Sequence, residues 1–392
     1  MSPNAAAMVR ARDLGIPFAG TPGMLNAISD VPGVEVGYTT LWRGSGVLKV
    51  GEGPVRTGVT AVLPRGRADP RPCFGGSFAL NAAGELTGLH WLEERGLFEG
   101  PILITHTHAV GVVRDAAIQW MRLRDWPRLV EFAIPIVGET YDGRFNDIDG
   151  GHIKPEHVFQ ALDTARGGAV SEGNIGGGAG MMAYGFKGGT GTASRRLAEE
   201  DGGYTVGVLV QANYGTRRQL RIAGIPMGEA LSDDMPRYLE PALLPEELRQ
   251  RFKAWCPEGS IIVVVATDAP LLPHQLRRLA KRPALGIARL GGIGTTASGD
   301  LFIAFSTANP DIGERMGPIG KSAEITPYTV KMQPNPALTA LFEATVDATE
   351  EAIVNALVAA DSAEGAYRLY VPRLPHQRVQ DILRKHNLLI TR

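Results

Sequence analysis

From residue 260 the chain reads Ser-Ile-Ile-Val-Val-Val-Ala-Thr, an unbroken apolar stretch closed by the turn-forming Asp268-Ala269-Pro270. A run of strand length with no polar alternation needs burial on both faces. Similar segments recur at Gly58–Leu63, Pro101–Thr105, Phe132–Val137, Tyr204–Gln211 and Leu301–Thr307, while Gly23–Thr40 alternates short apolar pieces with turn residues. Strands of this kind must be covered, and helical patterns at Val110–Leu123, Leu271–Arg282 and Asn335–Ala360 can cover them. In the last of these, Asn335 can cap and Pro336 suits the first helical position. Leu338, Leu341, Phe342, Val346, Ile353 and Leu357 then form its apolar stripe. The expected fold class is α/β, two stacked sheets between helical layers (an αββα sandwich), as a single domain over residues 1–392.

Composition narrows the function classes. A net charge of -1 offers no field for gripping a phosphate backbone, which argues against nucleic acid as a partner. The basic clusters Thr216–Arg221 and Arg277–Arg282 read as solvated faces or oligomer contacts. The two cysteines, Cys73 and Cys256, are too few for a disulfide framework or a cysteine-rich zinc site. No stretch reaches the ~18–20 apolar residues of a membrane span. Residues Met1–Arg12 carry no signal-peptide pattern, so a cytoplasmic protein without a membrane partner is expected. The 49 glycines cluster in short loops without a period, which suggests tight turns or backbone lining a site.

The segment before Ser260 differs in texture. Residues Glu229–Gly259 are dense in proline and charge, with one short helical pattern at Pro245–Ala254, and read as an exposed linker abutting a buried strand. At the junction stand Gly259 and Ser260. Glycine lacks a Cβ, so its carbonyl is open to attack, and a serine heading a rigid strand cannot move away from it. Those are the conditions for an N-to-O acyl shift followed by hydrolysis of the ester. The cut would give Ser260 a free α-amine, which titrates near ~7.7–8.0 and can accept the proton of its own hydroxyl.

With these residues in view, the chain resembles the L-aminopeptidase/D-Ala-esterase/amidase (DmpA) family, which includes β-peptidyl aminopeptidases. The resemblance runs through Asn26–Thr40, Val137–Gly143, Asn174–Arg195, Val206–Gly215, Gly259–Leu271 and Ala297–Asn309. It implies an Ntn-hydrolase-like sandwich with the family's own connectivity, cut between Gly259 and Ser260 into subunits 1–259 and 260–392. It also implies a role for each matched residue. Ser260 is the nucleophile, Asn213 the oxyanion donor, and Tyr141 a phenol at the reaction centre. Glu139 holds the substrate's ammonium, and Ser298 with Asp300 completes the relay. Some members carry Glu at the last position, one methylene longer than Asp300. The substrate expected is a small peptide, amide or ester with a free amine, with no cofactor and no metal. The implied assembly is a homo-oligomer of cleaved αβ heterodimers, with a tetramer as the expected size.

Other motifs are weaker. Gly176–Gly180 lacks the Lys-Ser or Lys-Thr of a phosphate loop, and Gly320-Lys321-Ser322 has Arg315 where that loop needs glycine. His106 and His108 lack an accompanying ligand cluster, and the segment around Ser77 misses the last glycine of a nucleophile elbow. Two other functions compete with the leading one. An acyltransferase of the ornithine acetyltransferase type would carry threonine at position 260, and a small-molecule-binding protein would never be cut.

Overall fold

The computed structural model describes residues 9–124, 126, 133–251, 259–312, 327 and 329–391. Strands β1 (Glu35–Arg43), β2 (Val55–Leu63), β5 (Ile102–His106) and β6 (Ile136–Thr140) form one sheet in the order β1-β2-β5-β6. The second sheet runs β4-β3-β10-β9-β8-β7. Its members are β3 (Cys73–Ala82), β4 (Leu97–Phe98), β7 (Gly189–Arg196), β8 (Thr205–Ala212), β9 (Ile261–Thr267) and β10 (Gly299–Ser306). Helices α1 (Val110–Leu123) and α2 (Pro155–Asp163) cover the first sheet. Helices α3 (Pro273–Leu279), α4 (Pro283–Arg289) and α5 (Leu338–Val358) lie on the second, and α6 (His376–Lys385) joins the same core through Val379 and Leu383. The architecture is the four-layered α/β sandwich expected.

The apolar run of β9 divides its side chains between two cores. Ile261, Val263 and Val265 pack toward α3 and α5 with Leu276, Leu279 and Ile353. Ile262, Val264 and Ala266 face the other sheet and meet Ile102, Ile104 and Ile136. A period of two therefore places apolar groups on both faces, which is why the strand shows no polar alternation.

Several elements differ from the sequence reading, each for an identifiable reason. The helix expected over Leu271–Arg282 is shorter, Pro273–Leu279, and a second helix that the pattern did not include follows from Pro283. The strand expected at Phe132–Val137 begins at Ile136. Asn335 does not cap α5: residues Asn335–Ala337 form a 3-10 turn, and the Asn335 Oδ1 accepts from Arg278 instead. Strand β7, Gly-Thr-Gly-Thr-Ala-Ser-Arg-Arg, has no apolar run yet is buried almost throughout. It is built of small residues because α5 lies directly on it: a Cβ at Gly191 would fall 2.0 Å from the Ala352 carbonyl oxygen. Arg217, read as part of a solvated basic face, is buried. Its guanidinium lies 3.3 Å from the Phe186 ring centre and donates to the carbonyls of Tyr184, Gly185, Leu231 and Asp234. Within the stretch read as a linker, the described residues include a short strand at Arg237–Tyr238 and a helix at Glu246–Arg251. Cys256 and the Gly320-Lys321-Ser322 motif lie outside the described residues.

The glycine run Gly176–Gly180 is a buried 3-10 turn against both sheets, so its glycines serve close backbone packing. A Cβ on Gly177 would lie 2.3 Å from Gln211 Oε1 and 2.6 Å from the Ile104 carbonyl oxygen. Gly177→Ala is expected to destabilise the fold by about 1–3 kcal/mol through overpacking. A lower denaturant midpoint at unchanged m-value is the measurement that checks it.

Candidate active site

Three neighbouring strands of the second sheet end at one level. Antiparallel pairing sets Ala212 of β8 opposite Ile261 of β9, and parallel pairing sets Ile261 opposite Asp300 of β10. One step beyond these pairs stand Asn213, Ser260 and Gly299. The Asn213 N–H donates to the Ser260 carbonyl at 3.1 Å, and the Gly299 N–H donates to Ser260 Oγ at 3.0 Å. Register alone thus fixes where the Ser260 hydroxyl sits.

Gly259 precedes it against the Asn213 backbone. A Cβ there would lie 1.8 Å from the Asn213 carbonyl oxygen, so close approach is what requires glycine at this position. The Asn213 side-chain nitrogen lies 3.3 Å from the same point. That nitrogen donates to the Tyr141 carbonyl at 2.9 Å, while Oδ1 accepts the Met182 N–H at 2.9 Å. The two bonds determine which end of the amide faces Gly259.

Ser298 Oγ touches both the Gly259 carbonyl oxygen and Asp300, with 2.7 Å to Asp300 Oδ1. Asp300 therefore reaches Ser298 directly despite its shorter side chain. Both residues are buried, and burial pushes the Asp300 carboxyl above the ordinary carboxylate range, opposed by its bond with Ser298. Asn81 on β3 donates to the Thr295 and Ser298 carbonyls and holds this loop.

Glu139 comes from the facing sheet, on β6, and is buried. Its Oε1 accepts the Glu85 N–H at 2.9 Å and its Oε2 accepts the Thr107 hydroxyl. Burial raises its pKa, and these bonds lower it in part. Gly84 bridges the sheets: a Cβ there would lie 3.0 Å from Glu139 Oε1 and 3.3 Å from Gly299 Cα. Tyr141 follows the end of β6, with the residue 45% exposed and its hydroxyl 2.5 Å from where a Gly143 Cβ would sit. Glu139, Tyr141, Gly259 and Ser260 line one cleft of about 740 Å³.

Sequence reading missed Gly84, Glu85, Thr107 and Gly299. Two of them, Glu85 and Gly299, act through backbone N–H groups, which leave no residue signature. Tyr238 and Leu248, which also line the cleft, belong to the stretch read as a linker. His106 and His108 part company: His106 is buried 3.9 Å from Asp142, and His108 is exposed beside Asp149 at 2.8 Å. Among the described residues, no group of His, Cys, Asp and Glu is arranged to hold a metal ion.

Comparison with known proteins places this geometry. The profile of peptidase family S58 matches residues 26–369. The β-peptidyl aminopeptidase BapA of Sphingosinicella microcystinivorans is 53% identical over 381 residues, 97% of this chain and 93% of that protein. Its counterpart in Sphingosinicella xenopeptidilytica is 44% identical over 378 residues, 96% of this chain and 91% of that one. Among solved structures, a Burkholderia sp. β-aminopeptidase superposes with TM-score 0.85 at 46% identity, covering 98% of this chain and all 100% of the other. The L-aminopeptidase D-Ala-esterase/amidase of Ochrobactrum anthropi, a serine aminopeptidase with a variant Ntn-hydrolase fold, gives 0.85 at 43% identity, covering 97% and 99%. A chain with this fold and these relatives belongs to peptidase family S58 and is an aminopeptidase/amidase.

Proposed function

We propose that this aminopeptidase cuts itself between Gly259 and Ser260 and then removes N-terminal residues, β-amino acids among them, through an acyl-enzyme on Ser260. The observation that carries this reading is the seating of Ser260 Oγ beside Gly299, with Ser298 in contact with the Gly259 carbonyl and Asn213 at its flank. The β-residue preference rests on the relatives named for it, at 53% and 44% identity over nearly the whole chain.

In the precursor, Ser260 Oγ attacks the Gly259 carbonyl carbon, and the peptide nitrogen leaves as the Ser260 amine. Water opens the resulting ester, freeing the Gly259 carboxylate. A hydroxyl has one proton, so Ser298 donates to Gly259 or to Asp300, never to both. A protonated Asp300, favoured by its burial, donates to Ser298 and releases the Ser298 proton toward the scissile carbonyl. In the mature enzyme, the α-amine of Ser260 takes the hydroxyl proton as Oγ attacks the substrate carbonyl. Asn213 stabilises the oxyanion, and Tyr141, which lines the cleft, donates a hydrogen bond toward the leaving group. The shortened peptide leaves with that proton, and water then releases the amino acid from Ser260.

Glu139 closes the cleft on the side of the facing sheet and holds the substrate's ammonium, so that one residue is removed at a time. The same reading takes the chain as one folding domain whose products, 1–259 and 260–392, stay together as an αβ pair. These pairs assemble into a homo-oligomer of tetrameric size in the cytoplasm. Among the described residues, no helix is long and apolar enough to cross a membrane.

Intact-mass analysis of wild type beside Ser260→Ala tests the central claim. Wild type is expected as two fragments, the smaller beginning at Ser260, and the variant as one inactive chain; an uncut, active wild type would refute the reading. Ser298→Ala should slow the appearance of the two fragments by about 10²–10³-fold, as loss of an oxyanion donor does, in a gel time course. Glu139→Gln should lower kcat/KM for free-amine substrates by about 10–100-fold and narrow the preference over N-acylated ones. Because folding raises the Glu139 pKa, its charge costs stability above that pKa, and the cost vanishes as pH falls through it. Melting curves should therefore find Glu139→Gln more stable than wild type at neutral pH, with the gap closing on acidification.

A further inference from the structure

Lys187 is a buried cation away from the cleft. It pairs with Met182 in a small hairpin, Met182–Ala183 against Phe186–Lys187, and its side chain is fully enclosed. The ammonium donates to the Ala179 carbonyl at 3.1 Å and to the Met181 carbonyl, with the Phe145 ring centre 5.0 Å away. The charged groups that face it are Asp142 and Arg56, and burial pushes its pKa down to about 7. Methionine or leucine would fill this space without the cost of desolvating an ammonium. Packing therefore does not account for a lysine here.

The Met181 carbonyl does. It accepts Lys187 Nζ and the Gly188 N–H, the latter at 3.0 Å. Across the same peptide unit, the Met182 N–H donates to Asn213 Oδ1 at 2.9 Å, and the Asn213 nitrogen reaches the flank of Gly259. Each amide in this chain accepts at oxygen and donates at nitrogen. A positive charge at the first oxygen draws electron density along the conjugated amides and makes each following N–H a stronger donor.

We propose that Lys187 is a positioning residue for the hydrolytic reaction, acting through the Met181–Met182 peptide to orient and polarise the Asn213 amide. The inference rests on the reading of Asn213 as oxyanion donor. Lys187 touches neither substrate nor nucleophile; it sets the strength and direction of a donor that does. The same device serves self-cleavage and turnover, because both develop negative charge beside Asn213.

A double-mutant cycle on the processed enzyme tests this, with kcat expressed per titrated active site. Asn213→Ala should reduce kcat by about 10²–10³-fold, and Lys187→Gln, which keeps a neutral donor, by about tenfold with KM little changed. In the Asn213→Ala background, Lys187→Gln should have no further effect. An equal loss in both backgrounds, or none in wild type, overturns the role of Lys187. No loss from Asn213→Ala overturns instead the reading on which it rests. If Lys187→Gln does not fold, Lys187→Met enters the same cycle, and the pH profile gives a further arm. The ratio of wild-type to variant kcat should fall as pH rises through about 7 and Lys187 loses its proton, because the Ser260 amine acts alike in both proteins; a ratio that stays constant across that range overturns the proposal.

Discussion

The pairing of β9 with β10, parallel and in a register that sets Ile261 against Asp300, is what the rest of the site depends on. It aligns the Gly299 N–H with the Ser260 hydroxyl and brings Ser298 against the carbonyl of the preceding residue. A slip of one residue would turn Ile261, Val263 and Val265 from the helical layer into the space between the sheets. Two dry cores therefore hold the register, at a cost of misplacement far larger than any single contact within the site. The chemistry borrows its precision from hydrophobic packing.

Against that scaffold, the site and its surroundings hold groups that a stable core would exclude. Glu139 and Asp300 are carboxyls in poorly hydrated surroundings, and Lys187 is an ammonium held by carbonyl oxygens. Each is only partly compensated by hydrogen bonds, and burial dominates the shift of all three. Such arrangements are costly to folding and useful to catalysis, because burial sets a group's readiness to hold or pass a proton apart from its ordinary value in water. The same low dielectric would strengthen an amide donor such as Asn213 toward any negative charge developing beside it.

Much of this is legible in the sequence, and the exceptions follow a pattern. The unbroken apolar runs place β8, β9 and β10 to within a residue or two, because large apolar side chains without polar alternation over that length read directly as a strand covered on both faces. Helix α1 agrees at both ends for a related reason: its amphipathic stripe is complete. Strands β7 and β3 escaped, since small residues such as glycine, threonine and alanine are chosen there for what lies above them, and that neighbour is distant in sequence. Arg217 illustrates the reverse error. Charge reads as surface unless one knows that carbonyl oxygens from Tyr184, Gly185, Leu231 and Asp234 converge on one point. At the site, side chains with chemical character (Ser260, Asn213, Glu139, Ser298 and Asp300) could be singled out, whereas the donors from Glu85 and Gly299 belong to the backbone and carry no identity. Gly259 was noticed, but for its exposed carbonyl; the structure adds a steric reason, the Asn213 backbone lying where a side chain would go.

Strand β9 is hydrogen-bonded on one side to β8, which precedes residue 260, and on the other to β10, which follows it. A break before Ser260 would thus divide the chain without dividing the sheet. Neither piece would own a complete core, and each would reach its conformation only in the presence of the other. The uncut polypeptide can find its fold as one molecule, but the cut one would have to find it as two. Maturation would then exchange a reversible fold for one whose persistence is kinetic: long-lived once made, and hard to regain once lost.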